Sequence, residues 1–84
     1  MSYSVLILPS ALKSLNKLPE PVKKLIDKKI NSLSENPRPH GCKKLIADDA
    51  WRVRIGDYRV IYEINDQKIT VIIVKIGNRK EVYR

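Results

Sequence analysis

The stretch WRVRIGDYRVIY, residues 51–62, predicts the geometry around which the rest of the chain is arranged. Apolar and arginine residues alternate in two short runs, and Gly56-Asp57 between them suits a two-residue hairpin turn. In such a hairpin, directly opposite residues share one face of the ribbon. The predicted opposite pairs are Ile55 with Tyr58, Arg54 with Arg59, Val53 with Val60 and Arg52 with Ile61.

One face of this hairpin is therefore expected to be apolar, and the other is expected to carry Arg52, Arg54 and Arg59. If helices cover the apolar face, the arginine face is expected to be left to solvent. The apolar set is Trp51, Val53, Ile55, Tyr58, Val60 and Tyr62. Like charges on neighbouring strands destabilise a ribbon, so three guanidinium groups on one patch call for a compensating role. The residues favour binding of a polyanion, with RNA as the first choice.

Charge and size narrow the classes of function. The 84 residues include 17 Lys and Arg against 9 Asp and Glu, a net charge of +8. A small domain this basic is expected to meet phosphates, an acidic protein or an anionic membrane surface. We expect one domain, residues 1–84, with an aliphatic core and an open patch instead of a deep substrate pocket.

The single Cys42 excludes an intramolecular disulfide and favours a reducing compartment. One His and one Cys make a zinc site implausible, and no cofactor motif is present, so neither a metal nor a cofactor is expected. No apolar run approaches membrane-spanning length and no signal-peptide pattern opens the chain. These features predict a soluble, cytoplasmic protein that does not associate with a membrane.

The order of elements predicts an α+β fold, β-α-α-β-β-β-β, with a small antiparallel or mixed sheet and two N-terminal helices packed on one face. Residues 3–8 are expected to form a fairly central strand because they are apolar on both faces. Ser10 is the expected N-cap of a helix over residues 11–18, and a second helix is expected over residues 21–34. Residues 68–76 are the most β-prone run and predict a buried central strand.

The helical apolar stripes are expected to face the core. They comprise Leu12, Leu15 and Leu18 in the first helix and Val22, Leu25, Ile26, Ile30 and Leu33 in the second. A DNA-reading helix–turn–helix is disfavoured, because the link contains two prolines and no base-reading cluster follows on the second helix. The lysines there are interpreted as a solvated face. His40, between Pro39 and Gly41, is interpreted as a surface loop residue in preference to a general base.

Arginine is unevenly distributed, since five of the six arginines lie in residues 51–84. Arginine presents a planar fork of donors that suits phosphate better than the point charge of lysine does. Arg79, Lys80 and Tyr83 follow the long strand and are expected to converge on the hairpin arginines. Such a set could assist RNA cleavage by its own 2′-hydroxyl, with arginines stabilising the phosphorane and Tyr83 carrying a proton. Ordinary packing near the C-terminus is the alternative interpretation of Tyr83.

These motifs resemble the RelE family of bacterial and archaeal toxins, in the wider RelE/ParE superfamily. The resemblance is carried by the hairpin at 51–62 together with Ile-Gly-Asn-Arg-Lys-Glu-Val-Tyr at 76–83, and it extends over essentially the whole chain. It implies a RelE-like fold and a ribosome-dependent mRNA endoribonuclease that cleaves the A-site codon by metal-independent 2′-OH attack. It also implies a cognate, RelB-like antitoxin, which for a +8 toxin should be acidic and partly disordered.

Residue by residue, the resemblance implies three catalytic side chains and three RNA-binding ones. Arg59 and Arg79 match the arginines that stabilise the transition-state phosphate, and Tyr83 matches the tyrosine that stacks on or activates the nucleotide. Arg52, Arg54 and Lys80 are the expected RNA-binding residues. Positions 52 and 54 are lysines in the best-known members, where one has been proposed as general acid, a role that arginine fills poorly.

Two alternatives remain open on the sequence. A ParE-like toxin would share the fold and inhibit DNA gyrase without cleaving RNA, and a plain RNA-binding module would use the same arginines without chemistry. The combination of Arg59, Arg79 and Tyr83 favours the nuclease.

Overall fold

The computed structural model describes residues 2–46 and 49–78 of the chain. Within them the predicted order of elements, β-α-α-β-β-β-β, is confirmed. The elements are β1 (Ser4–Ile7), α1 (Pro9–Asn16), α2 (Glu20–Glu35), β2 (Lys43–Lys44), β3 (Trp51–Ile55), β4 (Tyr58–Asn65) and β5 (Thr70–Asn78).

The strands form one five-stranded mixed sheet in the order β1-β5-β4-β3-β2. Strand β1 runs parallel to β5, whereas the three other neighbouring pairs are antiparallel. Both helices pack on one face of this sheet. Their buried residues Ala11, Leu15, Ile26, Ile30 and Leu33 form one cluster with the sheet residues Val53, Val60, Tyr62, Val71, Ile73 and Ile76. The α+β fold class and the one-sided helical layer are thus confirmed.

Strand β1 lies at the edge of the sheet, so the predicted central position is wrong. Val5 and Ile7 pack against the core, but Leu6 between them is 57% exposed on the opposite face. Apolar residues on both faces of a strand therefore did not indicate burial on both faces. Strand β5 does lie in the sheet between β1 and β4, as the β-prone run predicts.

Strand β5 begins at Thr70, two residues later than expected, because the preceding connection is a four-residue turn over 66–69. Asn65 Oδ1 accepts a 2.9 Å hydrogen bond from the amide of Lys68, and Ile69 adopts φ +50°. A β-branched residue at positive φ is strained, so Ile69 belongs to the turn and not to the strand.

Both helices begin earlier than the sequence predicts, and proline is the reason. Helix α1 starts at Pro9 after an extended Leu8, and no side chain caps it, so Ser10 lies inside the helix and is not its N-cap. Helix α2 starts at Glu20, with Pro21 in its first turn. Proline fits such positions because its missing amide would have no helical partner there.

The core stripes of both helices are only partly correct. Leu15, Ile26, Ile30 and Leu33 are buried as predicted. Leu12 is 43% exposed, and Leu25 is 58% exposed. The exposed Leu25 faces a groove beside β3, described below.

Candidate nucleic-acid interface

The β3–β4 hairpin has the predicted register. Ile55 pairs with Tyr58, Arg54 with Arg59, Val53 with Val60 and Arg52 with Ile61. Gly56 has φ +59°, whereas Asp57 has no positive φ, as in type II′ turns, which place glycine at the first central position. The turn thus fixes which residues share a face.

The three hairpin arginines share the face opposite the helices, but they differ in exposure. Arg54 is exposed, Arg52 is half-buried, and Arg59 is only 1% exposed. The expectation that this whole face is left to solvent is therefore wrong for Arg59. Its strand partners are Arg54 on β3 and Gly77 on β5, and Gly77 offers no side chain to exclude the long arginine from that space.

Burial of Arg59 has a chemical consequence. A guanidinium keeps its charge in proteins, and a buried charge is tolerated only when neighbouring groups compensate it. An RNA phosphate outside the protein cannot touch a side chain that is 1% exposed unless neighbouring atoms move. The conformation seen here presents Arg54 and part of Arg52 to a ligand, with Arg59 held behind them.

Three predicted site residues, Arg79, Lys80 and Tyr83, lie outside the described residues. The structure describes β5 as far as Asn78, which pairs with Tyr58 next to the hairpin turn. Their convergence with Arg59 stays a prediction.

Acidic residues lie at the other end of the sheet. A cavity of about 480 Å³ there is lined by seven residues: Asp49, Glu63, Ile64, Asn65, Asp66, Gln67 and Ile72. Its three carboxylates disfavour a phosphate, whereas the exposed Arg54, next to the hairpin turn, favours one. The charges of the described residues therefore favour a polyanion at the turn over the acidic cavity.

Arg38, the arginine outside residues 51–84, forms an ion pair in the fold. Its Nη2 and Nη1 lie 2.9 and 3.3 Å from the two oxygens of Asp66, and Tyr3 donates a 2.8 Å hydrogen bond to the same carboxylate. The hydrogen bonds from Arg38 and then Tyr3 hold the pKa of Asp66 below its usual range. This network joins the loop after α2 to the β4–β5 turn.

Trp51 supports the same loop from the side of the sheet. The guanidinium carbon of Arg38 and the ammonium nitrogen of Lys44 each lie 5.3 Å from the centroid of its ring, a cation–π distance. Lys44 also forms an ion pair with Asp49. These two cations are held by the fold, which distinguishes them from Arg54 on the hairpin.

Tyr62 has a structural role on the helix-covered face. Its buried hydroxyl donates a 2.7 Å hydrogen bond to the carbonyl of Pro37. Burial, and then the neighbouring Cys42, raise the pKa of its phenol, so it stays neutral. His40, by contrast, is exposed on its loop, in agreement with the surface interpretation.

Sequence reasoning missed a groove beside the exposed arginine. We call it the α2–β3 groove; its volume is about 310 Å³, and it is lined by Leu25, Lys28, Lys29, Ser32, Arg54 and Ile55. The helical members repeat at intervals of three and four residues, which places them on one side of α2. That spacing was a usable signal, but the apolar stripe of the second helix assigned Leu25 to the core.

Among residues 2–46 and 49–78, no group of three or more His, Cys, Asp or Glu residues could hold a metal ion. Neither helix in that part of the chain combines the length and the apolar character that crossing a bilayer requires.

Comparisons with known proteins agree with this architecture. A family model described as the ParE toxin of type II toxin–antitoxin systems, parDE, matches residues 5–83. The mRNA interferase toxin RelE of Escherichia coli (strain K12) is 30% identical over 87 residues, which cover 99% of this chain and 92% of that protein.

Two solved complexes contain chains with the same fold. The archaeal RelE–RelB complex from Pyrococcus horikoshii OT3 matches with a TM-score of 0.84 and 33% identity, over 94% of this chain and 97% of that one. The toxin–antitoxin complex RelBE2 from Mycobacterium tuberculosis matches with a TM-score of 0.84 and 28% identity, over 94% and 100%. Matched in sequence and fold over nearly its whole described length, the chain belongs to the RelE family of toxins, in the RelE/ParE superfamily of type II toxin–antitoxin systems.

Proposed function

We propose that this toxin is a ribosome-dependent endoribonuclease that cleaves mRNA in the A site and thereby inhibits translation. The observation that carries the proposal is the arginine-bearing face of the β3–β4 hairpin, whose exposed Arg54 lies next to the turn, away from the acidic cavity. The similarity to a protein named mRNA interferase toxin RelE supports RNA as the substrate.

The proposed reaction is metal-independent attack by the RNA's own 2′-hydroxyl. The 2′-oxygen forms a bond to phosphorus, the bond from phosphorus to the 5′-oxygen breaks, and the products end in a 2′,3′-cyclic phosphate and a 5′-hydroxyl. The protein has to accept the 2′-OH proton, stabilise the phosphorane and supply a proton to the leaving oxygen. Arginine serves the second task well and the proton transfers badly, because it holds its own proton so tightly.

Each side chain is assigned a role according to whether it can bind phosphate, stabilise charge or transfer a proton. Arg52, Arg54 and Lys80 bind the RNA backbone, Arg59 and Arg79 stabilise charge on the phosphorane, and Tyr83 stacks on the nucleotide or carries the proton. Because Arg59 is 1% exposed, its part requires the site to open when mRNA binds. Arg54, already exposed, makes the first contact.

The experiment is a translation reaction with purified ribosomes, in which mRNA ends are mapped and their chemistry is identified. Wild type should cut at A-site codons and leave 2′,3′-cyclic phosphate ends. Arg79→Ala and Tyr83→Phe should both lose these cuts. Arg38→Ala is the matched control, because it removes an arginine that is paired with Asp66 in the β4–β5 turn, at the other end of β4 from the hairpin turn, and such an exposed ion pair contributes little stability. Cuts that persist in both site variants would contradict the assigned roles.

A second candidate is inhibition of DNA gyrase without RNA cleavage, and the observation that favours it is the match to the ParE toxin model. Intact mRNA in the translation reaction, together with arrested supercoiling by purified gyrase, would replace the nuclease with this function.

We also propose a cognate antitoxin, acidic and partly disordered, that covers the basic toxin. The net charge of +8 and the similarity to toxin chains solved in complexes with antitoxins support this. Stable, non-toxic expression of the chain by itself would contradict the need for such a partner.

A further inference from the structure

The outer edge of β3 is only partly covered. Strand β2 pairs Lys44 with Trp51 and Lys43 with Arg52, and it ends there. Beyond that point, residues 53–55 have a strand neighbour on the β4 side only, within the part of the chain that the structure describes. An uncovered strand edge presents backbone donors and acceptors to which another strand can pair.

The α2–β3 groove runs along this uncovered stretch. Arg54 and Ile55 line it from the strand, and Leu25 lines it from the helix. Leu25 is 58% exposed and Ile55 is half-buried, so the groove has an apolar floor that residues 2–46 and 49–78 leave open. A segment seated there would bury apolar surface and extend the sheet at once.

Charge selects the kind of segment. The groove has three cations, Lys28, Lys29 and Arg54, and no acidic residue in the described part of the chain lines it. The cavity at the opposite end of the sheet has the reverse character, with three carboxylates. An acidic segment is therefore attracted to the groove and repelled from the other cavity.

We propose that the α2–β3 groove binds an extended, acidic segment of the antitoxin, which pairs with β3 at residues 53–55 as an added strand. Successive side chains of a strand point to opposite sides, so one set faces α2, where Leu25, Lys28 and Lys29 lie, and the other set lies on the side of Arg54. The inference rests on the proposed antitoxin. It adds a regulatory consequence: the segment and mRNA compete for Arg54.

RNA is the other polyanion that three cations could attract. RNA binding would explain neither the exposed apolar surface at Leu25 nor the uncovered edge of β3. Among the described residues, no aromatic ring on which a base could stack lines the groove. An acidic peptide strand accounts for all three features.

The first test needs no variant. Amide hydrogen exchange of the full toxin is measured alone and with its purified cognate antitoxin. The amides of Val53 and Ile55 point toward β4 in this register, so backbone pairing should slow exchange at Arg54 more than at β1, whose outer edge is also uncovered among the described residues. Protection confined to β1, or absent from Arg54 in a complex that does form, would overturn the proposal.

The second test uses matched pairs of substitutions. Leu25→Ser with Lys28→Glu alters two exposed residues of the groove, and Leu12→Ser with Lys13→Glu makes the same chemical changes on exposed residues of α1. The groove pair should weaken antitoxin binding at least about tenfold by calorimetry, whereas the α1 pair should leave it within about twofold. Equal weakening by both pairs would mean that only net charge matters and would overturn the proposal.

A third measurement separates this inference from the nuclease proposal. Both double variants should still cleave A-site mRNA, because none of the four residues belongs to the proposed RNA site. Loss of binding to a short RNA in the groove pair, with antitoxin affinity unchanged, would make the groove a nucleic-acid surface and overturn the peptide assignment. Absence of cleavage in wild type, with the exchange pattern intact, would overturn the nuclease and leave the groove assignment standing.

Discussion

The two faces of the β3–β4 hairpin are built from the same strands, but they bury different kinds of side chain. On the helix-covered face, Val60 is fully buried among apolar neighbours. On the opposite face, Arg59 is buried to almost the same degree while it carries a charge. Alternation along a strand thus determines the face of a residue, but it does not determine its exposure. Substitutions on the two faces can separate burial that stabilises the fold from burial that serves a site.

The largest effect is expected from Arg59→Ala. If Arg59 stabilises the phosphorane, its loss should lower the rate of A-site cleavage by a factor of about 10² to 10³. The rate is measured in single-turnover reactions with purified ribosomes, and the free energy of unfolding is measured in parallel. A loss of stability with normal cleavage would make Arg59 a structural residue like those of the other face.

Neighbouring isoleucines on β5 compare the two faces directly. Ile73 is fully buried on the helix-covered side, and Ile72 points to the other side and is half-buried. Ile73→Ala should lower the free energy of unfolding by about 2 to 5 kcal/mol, because it leaves a cavity in the core. Ile72→Ala should lower it by clearly less in the same urea titration. Equal losses would mean that the open face is as tightly packed as the core.

Tyr62→Phe tests the polar contact on the apolar face. The change removes the hydroxyl that donates to the Pro37 carbonyl, and we expect a loss of about 1 to 2 kcal/mol of unfolding free energy. Tyr58→Phe, on the half-buried first residue of β4, is the control and should lose less.

The raised pKa of Tyr62 predicts an alkaline response as well. The folded state favours the neutral phenol, so this contribution is complete below the unfolded-state pKa of about 10 and is lost as the pH rises above it. Wild type should therefore lose more stability than Tyr62→Phe across that range in urea titrations. Parallel curves would contradict the assignment.

Arg54→Ala should weaken RNA binding with little effect on folding, because the side chain is exposed. The slope of log affinity against log salt should fall by about 1, the change expected for one lost phosphate contact. Fluorescence titrations of a short RNA at several salt concentrations measure it. Arg38→Ala should leave the slope unchanged, because Arg38 is paired with Asp66. An equal change in both variants would mean that Arg54 is not a specific RNA contact.

The smallest effect is expected at Asp66. Its pKa is held low by Arg38 and Tyr3, so its contribution is present above the unfolded-state pKa of about 4 and disappears as the pH falls below it. Wild type should exceed Asp66→Asn slightly in stability near neutrality, and the difference should vanish in acid. A difference that grows in acid would have the wrong sign for this ion pair.

Much of the fold was predictable because its signals are local. The two-residue turn at Gly56-Asp57 and the alternation around it determined the hairpin register, and helical spacing identified the buried Ile26, Ile30 and Leu33. The edge position of β1 was not predictable, since strand order depends on pairing between distant segments.

The exposures that sequence reasoning misjudged also depend on tertiary neighbours. Leu25 has the spacing of a core residue, but it lies at the margin of α2 beside an uncovered strand edge. Arg59 has the alternation of a surface residue, but it lies between Arg54 and a glycine on β5. The roles of Arg79, Lys80 and Tyr83 remain predictions.

The parallel pairing of β1 with β5 has a consequence for how the chain folds as it is synthesised. Ser4 pairs with Thr70, so β1 has no strand partner until β5 has been synthesised. Contacts so distant in sequence form slowly, because a long loop must close before they bring any gain. The hairpin, whose strands are adjacent, can close first. A nascent chain therefore carries the arginine face before it has a complete sheet to support it.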